Sequence, residues 1–338
     1  MNCNKSVEVI KKIFKGEGLR MLYEYKNSQK LGNNENIVNC QIISKIDDYN
    51  IPKLNNIDAS PIIAHAYWQG EIGEKQIFSI KSFLCTQDMD YFVIWLWLDK
   101  QSYERAKKSV LLQNLVRLYS SKLFIKCWDV DIEVKDTPAN KFKSFFKLKG
   151  KSLSFIADDF RILSLYKYGG LYFDLDVMFC RSFIPLIING EFVYAWEKQP
   201  YANNAILFLS KKSFIAEYLL RKVGKIKSSQ PWAIFNYKDK KLKYLTVYPC
   251  CMFDPLWNGY IEGMPLENFE DFFKEFNKEF VKREDINSYK DFFKGIYAYH
   301  WHNKWDAKTC GNSYYGLFNK EFDDIIFNKE KSDRKYQK

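Results

Sequence analysis

Residues 154–177, SFIADDFRILSLYKYGGLYFDLDV, hold three kinds of local order in succession. Ile156, Phe160, Leu163 and Tyr166 recur at helical spacing, with Ser154 as the expected N-cap. Gly169-Gly170 supplies the residue of positive φ on which a helix ends. Leu171, Tyr172 and Phe173 then take strand character. Alternate side chains of a strand share a face, so Asp174 and Asp176 are expected together, with Leu175 turned to the core. Adjacent carboxylates repel unless a cation lies between them. Hard oxygen ligands suit Mn²⁺ or Mg²⁺ and leave coordination positions for water and substrate phosphates.

Working outward, the pattern predicts a strand at 62–68, a helix near 75–86 and a strand at 91–98 (YFVIWLWL), too short to span a bilayer. A Lys-rich helix at about 103–119 and a third strand within Leu123–Val134 follow. This alternation implies an α/β fold with a mostly parallel central sheet and helices on both faces. Ligands of such sheets bind beyond the carboxyl ends of the strands, where Trp68 and Asp174 both fall. Residues 1–57 are expected to form an N-terminal helical extension, 58–310 the main domain and 311–338 a charged, partly helical tail. No internal repeat is present.

The 338 residues carry 52 basic and 41 acidic side chains, a net charge of +11. A field of that sign attracts nucleotide sugars, anionic lipids or a polyanionic glycan. Abundant Lys, Asn, Ile, Phe and Tyr, the imprint of an AT-rich genome, is the favoured account of it, so the basicity is read as permissive. No nucleic-acid-binding module is recognisable, so nucleic acid is not an expected partner. The eight cysteines show no CxxC spacing and there are three histidines, which argues for free thiols rather than zinc. The N-terminus, MNCNKSVEVIKKIFKGEG, lacks the apolar stretch of an export signal. The expected location is cytoplasmic, with peripheral contact at an anionic inner membrane face.

The triplet Asp-x-Asp occurs three times, at Asp88–Asp90, Asp129–Asp131 and Asp174–Asp176, and only the third follows a helix and a Gly-Gly turn. There the chain resembles the glycosyltransferases with a DXD-containing sugar-binding region, among them clostridial glucosylating toxins, yeast-type α-mannosyltransferases, globotriaosylceramide synthase-like α-galactosyltransferases and capsular or lipopolysaccharide enzymes. Their pattern falls without a gap on Asp158, Arg161, Tyr166, Tyr168, Gly169, Gly170, Tyr172, Asp174 and Asp176. Upstream, Pro61 to Gly70, with His65 and Trp68, is similar to the family's first strand. Downstream, Tyr297-Ala-Tyr-His300-Trp-His302-Asn303-Lys304 is similar to the closing segment of the galactosyltransferase branch. Asn203-Asn204 before an apolar run matches the family's Asn before a buried strand. The resemblance covers about residues 59–310. Where relatives often carry Gly-Pro, this chain has Gln230-Pro231-Trp232.

The resemblance implies a GT-A type fold and transfer from a UDP-sugar with Mn²⁺ or Mg²⁺. Asp176 is implied as a direct metal ligand, with Asp174 on the metal, its water, the ribose or the sugar, and His300 as a third ligand or phosphate contact. Asp158 and Arg161 are implied at the ribose and donor sugar; three residues apart on a helix, they also fit a surface ion pair. Trp68 is implied to stack on uracil, or is a core aromatic. His65 reads as a satisfied structural histidine. Asn203 either caps a strand or bonds sugar hydroxyls, and Asn303 and Lys304 are implied at the phosphates. The relatives imply retention of anomeric configuration, with a glycan or glycolipid of a bacterial surface polysaccharide or lipopolysaccharide as acceptor; the alternative is an effector or toxin that glycosylates a host protein.

Overall fold

The computed structural model describes residues 61–336 except 149, 197–198, 259–264 and 294–295. The extension expected at 1–57 lies outside the described residues. Nine strands follow in chain order among the described residues: β1 (Ile62–Trp68), β2 (Phe92–Leu98), β3 (Leu123–Cys127), β4 (Gly170–Phe173), β5 (Val177–Phe179), β6 (Phe192–Ala195), β7 (Ala202–Leu209), β8 (Thr246–Tyr248) and β9 (Ala298–His300). Seven form one sheet in the order β3-β2-β1-β4-β7-β6-β8, and β5 pairs with β9. β3, β2, β1 and β4 run parallel, β7 is antiparallel to β4 and β6, and β6 is parallel to β8. The expected α/β architecture with a mostly parallel central sheet is present.

Strand alternation builds two cores. Ile62, Ala64 and Ala66 of β1, with Phe92, Ile94 and Leu96 of β2, face the core beneath α1 (Glu74–Thr86). Tyr67, Trp97, Tyr172 and Leu207 face the opposite core, beneath α2 (Leu153–Tyr168) and α3 (Phe214–Ile226). Fully burying such a side chain stabilises by about 1.5–3 kcal/mol. A third, aromatic core lies around β5 and β9 and contains Phe272, Phe292, Tyr299 and Trp301. The segment read as a charged tail carries α4 (Tyr314–Tyr336), which buries Tyr314, Phe318 and Phe322 in this third core.

Two local expectations are corrected. The Lys-rich helix is two helices, Lys100–Ala106 and Val110–Leu118, because Ser109 accepts from the Leu112 N–H at 3.4 Å and starts the second. The N-cap of α2 is Ser152, not Ser154, with its Oγ accepting from Phe155 N at 3.4 Å. Cys85, Cys127, Cys180, Cys250 and Cys310 are free thiols as expected, whereas Cys251 is disulfide-bonded. No helix among the described residues is long and apolar enough to cross a membrane.

Candidate active site

The Gly-Gly stop is required by packing as well as by backbone conformation. Gly169 has φ +70° and Gly170 φ +113°, and a Cβ on Gly170 would lie 2.0 Å from the Ile63 carbonyl oxygen. His65 fixes this junction from β1. Its Nε2–H donates to Gly169 O at 3.0 Å, and its Nδ1 accepts from Trp97 Nε1 at 3.1 Å. Burial lowers its pKa to about 4, which the bond to Gly169 only partly offsets, so the ring stays neutral. His65 is the structural histidine expected.

β4 ends at Phe173, and the Asp174 N–H extends the ladder by one bond to Ala205 O at 2.8 Å. The chain then turns into β5. A turn, not strand alternation, therefore brings Asp174 and Asp176 together, while Leu175 is buried as expected. Asp174 Oδ1 accepts from Arg161 Nη2 at 3.0 Å and from the Tyr172 hydroxyl at 2.5 Å. Arg161 Nη1 donates to Asn204 O and Oδ1 at 2.7 and 2.6 Å, and the guanidinium lies over the Tyr172 ring. Asn204 Nδ2 donates to Asp158 Oδ1 at 3.1 Å.

The surface-pair reading of Asp158 and Arg161 is thereby excluded, since both are buried. Arg161 reaches the cleft, whereas Asp158 lies behind it. Burial pushes the Asp158 carboxyl up to about 7 against the pull of Arg161. Burial also raises Asp174, with Arg161 opposing and the Asp176 charge adding to the rise. Asn203 turns to its own strand, its Oδ1 accepting from Ala205 N at 2.8 Å, so its neighbour Asn204 serves the network.

The opposite wall arrives on β9. His300 pairs with Val177 and places Nε2 3.2 Å from Asp176 Oδ2. The Asn303 N–H donates to the same oxygen at 2.7 Å, from a left-handed turn with φ +48° at His302 and +56° at Asn303. Burial alone would raise Asp176, yet His300 and this N–H bring it down to about 2. Burial likewise opposes a charged His300, but Asp176 and Asp254 raise its pKa to about 10. Asp254 accepts from His302 Nε2 at 2.6 Å, and the two histidine rings stack 3.9 Å apart. Burial and the charge of His300 keep His302 below its ordinary pKa.

Ligand atoms of Asp174, Asp176 and His300 lie within 4.8 Å of one another. Two carboxylates and an imidazole suit a hard or borderline divalent cation, Mn²⁺ or Mg²⁺. The two carboxylates border a cleft of about 250 Å³ that Arg161, Trp68, Asn303 and Trp305 also line, with His300 buried behind Asp176. Trp68 and Trp305 have ring centroids 4.7 Å apart at the cleft, and Trp305 Nε1 donates to Asn303 Oδ1 at 3.1 Å. Trp68 is thus at the cleft rather than sealed in the core. Lys304 turns its ammonium to Glu270 instead. Lys75 Nζ secures the loop by donating to the carbonyls of Lys304, Trp305 and Ala307 at 2.5, 3.0 and 2.5 Å.

The other two triplets are structural: Asp88 accepts from Asp90 N at 3.0 Å, Asp129 caps a short helix, and Asp131 pairs with Lys143 and Lys147. Sequence reasoning named Asn204 only beside Asn203 and gave it no role of its own, and it missed Lys75, Trp305 and Asp254. A signal existed for Asp254, the lone carboxylate in the apolar run Cys250-Cys-Met-Phe-Asp-Pro-Leu-Trp257. Trp305 stood one residue beyond the recognised closing segment.

Residues 73–193 match the family described as glycosyltransferase sugar-binding region containing DXD motif. No curated protein matches the chain. Among solved structures it is similar to PaToxG glycosyltransferase, at 21% identity over 54% of this chain and 68% of that one, TM-score 0.41. It is also similar to the WbbM bifunctional glycosyltransferase, at 12% identity over 81% of this chain and 50% of that one, TM-score 0.44. The galactosyltransferase LgtC, solved with donor and acceptor sugar analogs, is 12% identical over 78% of this chain and 95% of that one, TM-score 0.39.

Proposed function

We propose that this chain, a glycosyltransferase by its DXD-containing sugar-binding region, is a metal-dependent, retaining enzyme. It moves a hexose or N-acetylhexosamine from a UDP-sugar to a glycan or glycolipid acceptor of bacterial surface polysaccharide or lipopolysaccharide. The observation that carries this reading is the convergence of Asp174, Asp176 and His300 at the edge of a cleft bordered by two tryptophans. Those three residues would hold Mn²⁺ or Mg²⁺, which when bound supplies Lewis-acid stabilisation of charge on the leaving diphosphate.

The protein's own groups do the rest. Trp68, with Trp305 beside it, offers a stacking surface for the base. Arg161 holds Asp174 in position through its 3.0 Å bond and keeps a positive charge at the cleft. The Asn303 N–H fixes Asp176. Asp174 and Asp176 are the carboxylates lining the cleft among the described residues, and both are committed to the cation. That supports a same-face displacement over a covalent glycosyl-enzyme.

The test is a donor-hydrolysis screen of UDP- and GDP-sugars with Mn²⁺ and with chelator. Cleavage of one or more UDP-sugars that stops with chelator supports the reading, and equal cleavage with chelator defeats it. Retention is read by NMR of the product anomer. Acceptor arms with glycolipid and with host protein separate the surface-glycan reading from the effector alternative.

A further inference from the structure

Behind the cleft lies a group for which the proposed transfer has no direct use. Asp254 is fully buried, in an apolar segment, and its Oδ1 has no hydrogen-bond partner among the described residues. An isolated buried carboxylate is costly, and an apolar residue of similar volume would often serve stability better. Its Oδ2 accepts from His302 Nε2 at 2.6 Å and lies 3.6 Å from His300 Nδ1, an ion-pair distance rather than a hydrogen bond. Tyr194 OH lies 3.1 Å from the same His300 nitrogen. The ring of His302 is wedged between Trp257 and Phe269, with centroids 4.5 and 4.6 Å away. The carboxylate is thus held where it faces the inner edge of His300, while the outer edge, Nε2, faces Asp176.

We propose that Asp254 is the positioning residue of His300: its carboxylate charge, 3.6 Å from Nδ1, favours a proton on that inner nitrogen, so that the Nε2 lone pair is presented beside Asp174 and Asp176 as a cation ligand. This rests on the cation site proposed above. Only one neutral tautomer serves, because a proton on Nε2 would occupy the direction in which the cation must lie. A carboxylate on the far nitrogen of a ligating histidine fixes both tautomer and ring orientation, and its loss commonly costs 10–100-fold in metal affinity. His302 completes the arrangement from the other side by donating to Asp254, which keeps the carboxylate from rotating away.

The experiment measures Mn²⁺ binding by calorimetry to wild type, Asp254→Asn and Asp176→Asn, with folding checked by circular dichroism. Wild type is expected to bind one ion per chain, Asp254→Asn about 10–100-fold more weakly and Asp176→Asn not measurably. A second readout uses the chain's three histidines, His65, His300 and His302, whose tautomers separate in long-range ¹H–¹⁵N spectra recorded with diamagnetic Mg²⁺. With Mg²⁺ bound, His300 should be protonated on Nδ1 and not on Nε2 in wild type, and should lose that preference in Asp254→Asn. Should that variant fail to fold, Asp254→Glu, which keeps the charge but moves it, is read in the same way. Unchanged affinity with an unchanged tautomer overturns the positioning role and leaves the cation site standing. A second Mn²⁺ in wild type that Asp254→Asn abolishes also overturns it, making Asp254 a ligand. No Mn²⁺ binding by wild type defeats the cation site itself, and this proposal with it.

Discussion

The two walls of the cleft are built in different ways. One, from Leu153 to Asp176, is a continuous run in which helix, double glycine, strand and turn follow one another, and its interactions are mostly local: Tyr172 reaches Asp174 two residues on. The other is assembled from distant pieces. Asn303 meets Asp176 across 127 residues, and His302 meets Asp254 across 48. The contiguous wall carries a sequence pattern because each residue's position follows from its neighbours. The assembled wall depends on the packing of the aromatic core around β9, which brings Asp254, His300 and Trp305 to one place without regular spacing. Chemistry at the contiguous wall is therefore written locally, whereas its partner groups are written in burial.

This contrast is broken most directly at Asp176, where the walls meet. Asp176→Asn is expected to lower transfer by at least about 10²-fold with the fold intact, the loss typical of removing one preorganised charge stabiliser. Asp90→Asn and Asp131→Asn should leave turnover unchanged, because Asp90 gives only its backbone N–H to the turn that the Asp88 carboxylate closes, and Asp131 pairs surface lysines. Steady-state assays of the three variants check this, and equal losses would mean that the triplet's context confers nothing.

Trp68 and Trp305 sharpen the contrast, since one ends β1 and the other belongs to the assembled wall. Stacking on a base is worth roughly 1–3 kcal/mol, so Trp68→Ala should weaken UDP binding by about 5- to 150-fold. Trp305→Ala should give a smaller loss if it acts as the neighbour of Trp68 and a comparable one if both touch the base. Calorimetry with UDP distinguishes the two, and unchanged affinity in both variants would remove the base from this side of the cleft.

The smallest effect is expected beneath the contiguous wall, at His65. Its pKa of about 4 in the fold lies below the ordinary 6.5, so above about pH 6.5 both folded and unfolded chains leave it neutral and it adds no pH dependence. As pH falls from about 6.5 towards 4, the unfolded chain takes up a proton that the folded site refuses, and stability declines, by about 2 kcal/mol at pH 5. His65→Gln, which can still donate to Gly169 O and accept from Trp97, should unfold in denaturant with a shallower acid slope than wild type. Parallel slopes would remove the neutral ring from this account.

The sequence by itself determined the alternating sheet, the Gly-Gly stop and the choice of triplet. Each depends on spacing along one strand or helix, and the positive φ of Gly169 and Gly170 leaves little choice of residue. It also pointed to His300, through a segment whose local order is preserved. Only the tertiary structure decided that Arg161 and Asp158 are a buried network rather than a surface pair, that Asn204 and not Asn203 joins it, and that Lys304 turns away to Glu270. Adjacent residues on a strand point to opposite faces, and which face meets the site depends on register with β4 and β6. Asp254 makes the same point most sharply. Its identity as a carboxylate was visible, but what a buried charge does is decided by the groups that packing places within reach of it, here two histidines from a strand and turn 46 and 48 residues later.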